Sequence, residues 1–186
     1  ITFAAHSIAL SAETIFYVPG YGLRGATSTL IGISVGEGDR KKFKEIEHLS
    51  IAITVVMMTF TGLLLHIFAY PIMKIFTPDQ RLVEMGAEVL KMIALSEPIF
   101  GLMIVSEGIC YGLGDTKFPF AVETFGAWGI RILLSVLGLK YLGISLFGVW
   151  ICMLLDNMFR ALALFIPLIS GRDRKLYEKR RKGLER

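Results

Sequence analysis

Acidic and basic residues lie within long apolar stretches of this sequence, where their types and spacing can support ion chemistry. A charged side chain at bilayer depth costs about 2.5–3.5 kcal/mol on insertion scales, so such groups face a protein interior or a water-filled cavity. They are Glu13, Arg24, Glu97, Glu107, Glu123, Arg131, Asp156 and Arg160. So many costly groups favour a channel, pump or transporter over a passively packed bundle.

Glu97 is the first candidate for coupling to an ion. It directly precedes Pro98, which removes a backbone donor and is expected to kink the helix. A carboxylate beside a broken turn can bind a cation or shuttle a proton. Glu107 is the second candidate, because it lies about 80° around the helix from Glu97. The alternative is that Glu97 only caps the helical segment that Pro98 begins.

The first apolar stretch places Glu13, Tyr17 and Arg24 on one helical stripe. Glu13 and Arg24 lie about 16 Å apart along the helix axis, too far to pair with each other. We interpret the stripe as the lining of a cavity or substrate site. Two separate salt bridges to other helices are the alternative. Pro19, with two glycines just after it, is expected to kink this helix.

The last two stretches carry further charges. Glu123 and Arg131 lie on one broad helical face, and we expect them to line the same cavity and to pair across helices. Asp156 and Arg160 are i, i+4 neighbours, which favours a local structural pair.

Other chemistry has little support in the sequence. Cys110 and Cys152 lie in apolar stretches without metal-ligand spacing. The histidines form no nucleophile–base motif with serine or aspartate. We therefore expect no catalytic residues, no metal and no cofactor, and an intramembrane enzyme is only a remote alternative.

The elements that must position these groups are membrane spans. The chain has 186 residues, of which 54% are hydrophobic and 19% charged. Crossing the hydrocarbon takes about 20 residues of helix. The composition predicts an all-α, polytopic transmembrane bundle of about five spans. Their expected bounds are residues 8–35, 49–75, 83–112, 118–139 and 144–170. Gly108-x-x-x-Gly112 and Gly32-x-x-x-Gly36 have the spacing of close helix contacts.

Basic residues predict the orientation. They concentrate at 40–44, at Lys117 and in the tail 172–186, which fall on one side of a five-span chain. The positive-inside rule makes that side cytoplasmic. We expect residues 1–171 to be a transporter-lobe fragment and 172–186 a cytoplasmic basic tail of a multi-pass plasma-membrane protein. This layout explains the net charge of +4 without a nucleic-acid partner. The chain begins at Ile1, without a signal peptide, and we expect it to be the C-terminal part of a longer protein.

Several motifs resemble the multidrug and toxic compound extrusion (MATE) family, in order along nearly the whole chain. One set resembles the second helix of that family's C-terminal six-helix half: Ala5-His6-Ser7-Ile8-Ala9-Leu10, Pro19-Gly20-Tyr21-Gly22, Ala26-Thr27-Ser28-Thr29-Leu30-Ile31-Gly32 and Gly36-Glu37-Gly38-Asp39. The later motifs resemble the loop after its tenth helix and its eleventh and twelfth helices: Tyr111-Gly112-Leu113-Gly114-Asp115-Thr116-Lys117, Ile130-Arg131-Ile132 and Gly148-Val149-Trp150.

The resemblance implies helices eight to twelve of a twelve-helix, two-lobe transporter. It also implies an antiporter that exports amphipathic or cationic drug-like compounds in exchange for H⁺ or Na⁺ by alternating access. Its partners would be these small molecules, the bilayer and the missing N-terminal lobe. In sodium-coupled members the C-terminal lobe's acids lie on the seventh and tenth helices, and Glu97 is close to the expected place on the tenth. A lipid-linked oligosaccharide flippase of the same superfamily is the alternative.

Overall fold

A computed structural model describes residues 2–143 and 146–184 of the chain. The α-helices are α1 (Thr2–Glu37), α2 (Arg40–Phe76), α3 (Gln80–Ala94), α4 (Glu97–Gly112), α5 (Lys117–Phe125), α6 (Leu133–Leu137), α7 (Leu146–Pro167) and α8 (Asp173–Leu184). The π-helical segments are Gly126–Ile132, Gly138–Leu142 and Leu168–Arg172. Helices and short turns account for the described chain, which confirms the predicted all-α fold.

The candidate membrane spans are distinguished by their length and apolar composition. Three helical stretches qualify, namely Arg40–Phe76, Lys117–Tyr141 and Gly148–Gly183. Helices α3 and α4 add a fourth if this pair, bent by 53°, is counted as one broken span. Helix α1 has 36 residues, but it is not among the qualifying stretches. The count of about five spans therefore stays a prediction. The start of the expected fifth span, residues 144–145, lies outside the described residues.

Glycines let α1 and α4 approach closely. A Cβ added to Gly108 would lie 2.8 Å from the Arg24 carbonyl oxygen, and one added to Gly112 would lie 2.6 Å from Ile31 Cβ. Both distances are too short for a real side chain, so this contact needs glycine at both positions. Gly36, by contrast, has open space around its Cβ position. The two glycines of α4 thus act as the contact surface that their spacing suggested.

The polar end of the bundle is closed by α8, which packs on the other helices. Tyr177 is 3% exposed and stacks against Phe43 with ring centroids 5.0 Å apart. Lys44 pairs with Asp173 at 2.5 Å, and Arg181 donates to the Gly38 carbonyl oxygen at 3.1 Å. The basic segments that the sequence assigned to one side therefore meet at one end, and the tail is largely helical.

Replacing Gly108 with alanine should destabilise the full-length protein by about 1–3 kcal/mol, because overpacking forces the helices apart. Gly36→Ala is the matched control. It should be neutral or slightly stabilising, since alanine favours helix and meets nothing there. Thermal unfolding in detergent measures both. Equal effects of the two substitutions would contradict a close α1–α4 contact at Gly108.

Candidate functional site

Glu97 is a buried carboxyl group at the break between α3 and α4. Its residue is 2% exposed, and its Oε2 is buried with no hydrogen-bond partner among the described residues. Gly62 of α2 packs closely on it, because a Cβ at Gly62 would lie 2.9 Å from Glu97 Cβ. No ion pair to Glu97 is found in the described part of the chain. The fold therefore places an uncompensated acid in a tightly packed interior.

The break that positions Glu97 is local in origin. Helix α3 ends at Ala94, and Pro98 lies in the first turn of α4, where its missing N–H costs nothing. Ser96 directs its hydroxyl to the Ile93 carbonyl oxygen at 2.8 Å instead of capping α4. Among the described contacts, none shows Glu97 accepting a hydrogen bond from the first turn of α4. The capping alternative for Glu97 thus has no contact to support it.

Glu13 on α1 connects Glu97 to a second group of charges. It is half-buried and lies within electrostatic range of Glu97 and of Arg131. It forms no ion pair within 4.0 Å among the described residues. Helix α1 stays helical through Pro19, and the kink expected there stays a prediction.

Asp156 on α7 is the centre of that second group. It is fully buried at 0% exposure and lies 2.9 Å from Arg131 Nε. Arg160 donates its Nε to Asp156 Oδ1 at 2.9 Å, so the expected local pair is present. Arg131 also donates to Asn157 Oδ1 at 3.2 Å. Gly126 makes room for this cluster, because any Cβ there would collide with Asp156 Oδ1.

Arg24 and Glu107 form a third feature, a salt bridge between α1 and α4. Arg24 Nη1 lies 2.9 Å from Glu107 Oε2, and the Glu107 side chain is 1% exposed. Glu123 of α5 lies within electrostatic range of Glu107. Glu107 is therefore buried with a counter-charge, in contrast to Glu97. Arg24 thus has its partner on another helix, as the distance along α1 required.

An aromatic cluster lies between these charged groups. The Tyr17 and Phe100 rings meet edge to face with centroids 5.8 Å apart, and Tyr21 packs on Tyr17 at 5.6 Å and on Phe100 at 6.2 Å. The Arg24 guanidinium lies over the Tyr21 ring at 4.7 Å. This arrangement offers π-faces and edges to a planar or cationic ligand. Tyr21 and Asn157 are not among the site residues that the sequence predicted. The i, i+4 spacing of Tyr17 and Tyr21 was the available signal.

The predicted lining residues differ from the ion-coupling candidates in their degree of burial. All of the lining residues are half-buried in the described structure, and they are Glu13, Tyr17, Arg24, Glu123 and Arg131. Glu97 and Glu107 are almost fully buried. Half-burial leaves the lining residues accessible at the surface of this set of helices.

Comparison with known proteins shows which family this chain belongs to. The family model MatE matches residues 1–137, which is most of the chain. The chain belongs to the MatE family. Matching MatE proteins include the probable multidrug resistance protein NorM of Thermotoga maritima, 25% identical over 93% of this chain and 37% of that protein. A second is the probable NorM of Mannheimia succiniciproducens, 28% identical over 87% of this chain and 36% of its own length.

Solved structures of MatE proteins share the fold. The eukaryotic MATE transporter AtDTX14 superposes with a TM-score of 0.88 at 19% identity, over 97% of this chain and 40% of that one. An inward-facing MATE family multidrug resistance transporter of the MOP superfamily superposes with a TM-score of 0.82 at 19% identity, over 94% of this chain and 40% of that one. The chain thus spans little more than a third of the length of the relatives it matches. The expected membership of the MATE family is confirmed.

Substituting Asp156 with asparagine should destabilise the full-length protein by about 3–5 kcal/mol, because Arg131 and Arg160 would keep buried charge without a carboxylate. Glu178→Gln is the control. It removes a carboxylate from an exposed i, i+4 pair with Arg174 and should cost at most about 1 kcal/mol. Thermal unfolding in detergent compares the two. A loss at Asp156 no larger than the loss at Glu178 would show that the cluster is not structural.

Proposed function

We propose that this chain is part of a secondary active multidrug antiporter of the plasma membrane. It would exchange amphipathic or cationic compounds for H⁺ or Na⁺ by alternating access. Membership of the MatE family supports this proposal, as do the names of its relatives, which are multidrug resistance proteins. The observation that carries it is the buried carboxyl group of Glu97, which has no ion pair among the described residues.

The surroundings of Glu97 suit a group that binds and releases a cation. A buried carboxylate without a counter-charge is unfavourable in a water-poor interior. Binding a proton or Na⁺ removes that penalty, so occupancy can be linked to the packing of α2 and α4 around Glu97. Glu107 already has Arg24 as its counter-charge. We therefore place Glu97 first for ion coupling, and Glu107 second through its link to Arg24.

The half-buried residues suit substrate binding. Glu13 supplies an acid without an ion pair among the described residues, one helical turn before Tyr17, whose ring contacts the rings of Tyr21 and Phe100. An amphipathic cation can place its charge near Glu13 and its planar part on these rings. Because Glu13 is also within electrostatic range of Glu97, cation binding at one acid can affect the other. That link is a physical basis for exchange of drug and ion.

The flippase alternative depends on free cationic groups that would attract a lipid-linked phosphate. Arg24 pairs with Glu107, which leaves it no net charge to offer. Arg131 shares the single carboxylate of Asp156 with Arg160, so this cluster keeps one positive charge that no carboxylate within 4.0 Å among the described residues matches. The names of the relatives, which are multidrug resistance proteins, therefore decide in favour of the antiporter.

The proposed whole transporter needs a second lobe. Relatives are about two and a half times as long as this chain, and we propose that the remaining helices cover the half-buried lining residues and close the cavity. Rocking of two lobes would expose it to each side in turn. We further propose that the basic end with α8 faces the cytoplasm, because the positive-inside rule favours it.

Glu97→Gln should abolish or shift the dependence of transport on a pH or sodium gradient, because the amide cannot take up and release a cation. Drug efflux by the full-length protein in vesicles, with each gradient imposed separately, measures this. Glu88→Gln, at an exposed acid of α3, should leave the ion dependence unchanged. If Glu97→Gln left it unchanged too, Glu97 would not be the coupling residue.

Truncating Tyr17 to alanine should raise the KM for a planar cationic drug about two- to fivefold with little change in kcat. One aromatic face at a partly exposed site contributes about 0.5–1 kcal/mol to cation binding. Phe60→Ala, which removes an exposed ring of α2, is the control and should leave KM unchanged. An unchanged KM for Tyr17→Ala would remove the aromatic cluster from the substrate site.

A further inference from the structure

A basic cleft lies at the polar end of the bundle, away from Glu97 and the aromatic cluster. It is formed between the α4–α5 loop and α8 and has a volume of about 590 Å³. Its lining residues include Asp115, Lys117, Arg172, Leu176, Lys179 and Arg180. This volume is within the range of about 300–1,000 Å³ that small-molecule sites occupy.

The cleft carries an excess of positive charge. Among the described residues, Arg172 is the one cation of the cleft with an acidic partner, Asp115, at 2.7 Å. The Arg172 guanidinium also stacks on the Phe118 ring at 3.8 Å, so it is held in place by two contacts. Lys117, Lys179 and Arg180 have no acidic partner within 4.0 Å among the described residues. The lining therefore presents three uncompensated cations around one neutralised pair.

The backbone of the α4–α5 loop at Gly114 is contacted by the Arg180 side chain of α8. Gly114 has φ of +77°, a left-handed conformation that favours glycine. A Cβ there would lie 2.9 Å from Arg180 Nη1, so the Arg180 side chain reaches from α8 to the loop backbone at Gly114. Arg180 and Lys117 thus border the cleft from its two sides.

The position of the cleft favours a lipid over a free anion. Lys117 begins one candidate membrane span, and residues 172–183 end another, which favours a position of the cleft near the lipid headgroups. Leu113 and Leu176 add an apolar part to the lining. A cleft with basic and apolar walls at the membrane interface suits a phosphate headgroup attached to an acyl-glycerol body.

We propose that this cleft binds the headgroup of an anionic phospholipid. The phosphate lies between Lys117 on the loop side and Lys179 and Arg180 on α8, and the glycerol backbone lies against Leu113 and Leu176. The bound lipid joins α8 to the start of α5. Binding there does not depend on which substrate or ion the protein transports.

The test is lipid binding by the full-length protein in phosphatidylcholine nanodiscs that contain a titrated fraction of phosphatidylglycerol. Native mass spectrometry counts the phosphatidylglycerol retained on the protein. The variant Lys179→Gln/Arg180→Gln should weaken retention roughly 30-fold, since each basic residue near an anionic surface contributes about fivefold. Lys117→Gln alone, on the opposite wall, should weaken it about fivefold.

The matched control, Lys175→Gln/Lys182→Gln, removes the same charge from exposed positions of α8 outside the cleft lining. It should weaken retention far less than the cleft double variant, because these two side chains do not contact the bound headgroup. Thermal unfolding in pure phosphatidylcholine checks that each variant is folded. If the α8 double variant does not fold, the Lys117 variant decides the question. Equal losses in the control and cleft variants would show diffuse surface attraction and overturn the proposal. Displacement of phosphatidylglycerol by inorganic phosphate would assign the cleft to a free anion and overturn it as well.

Discussion

Charge buried in hydrocarbon is so unfavourable that every ionisable group inside this bundle needs a counter-charge, water or a bound ion. Two of the buried acids satisfy this need within the fold. Asp156 is held between Arg131 and Arg160, and Glu107 is paired with Arg24. Glu97 is the exception, because its carboxyl group is buried without such a partner among the described residues. The proposed division between structural acids and a coupling acid follows from this difference.

Close helix packing raises the free-energy cost of an unpaired charge in this bundle. Gly108 and Gly112 bring α4 against α1, and Gly62 brings α2 against Glu97. Glycine at these positions leaves no space for a side chain and little for water, so the local environment has a low dielectric constant. The same packing places Tyr17 of α1 beside Phe100 of α4. The contacts that hold the helices together therefore also arrange the proposed ligand site.

At the polar end of the bundle, in contrast to its interior, several charges have no partner of opposite sign among the described residues. There, water and lipid headgroups are within reach, so cations can remain uncompensated at much lower cost. Helix α8 uses buried contacts, such as Tyr177 on Phe43, to fix its position and leaves Lys179 and Arg180 exposed beside the α4–α5 loop. A basic tail that composition alone describes as a charged segment thus becomes a wall of a defined cleft.

The sequence by itself determined the helical class, the family resemblance and the identity of the costly charges, because hydrophobic run length and charge within those runs are local properties. It also determined the Asp156–Arg160 pair, since i, i+4 neighbours meet in any helix. It did not determine which acid lacks a partner. Glu97 is marked in sequence by the proline that follows it, but nothing in the sequence says which acid Arg24 meets. Only the packing of α1 against α4 brings Arg24 to Glu107 and not to Glu97. The pairing of Arg131 with Asp156, the aromatic cluster and the cleft beside α8 likewise depend on contacts between residues far apart in the chain, which no local pattern encodes.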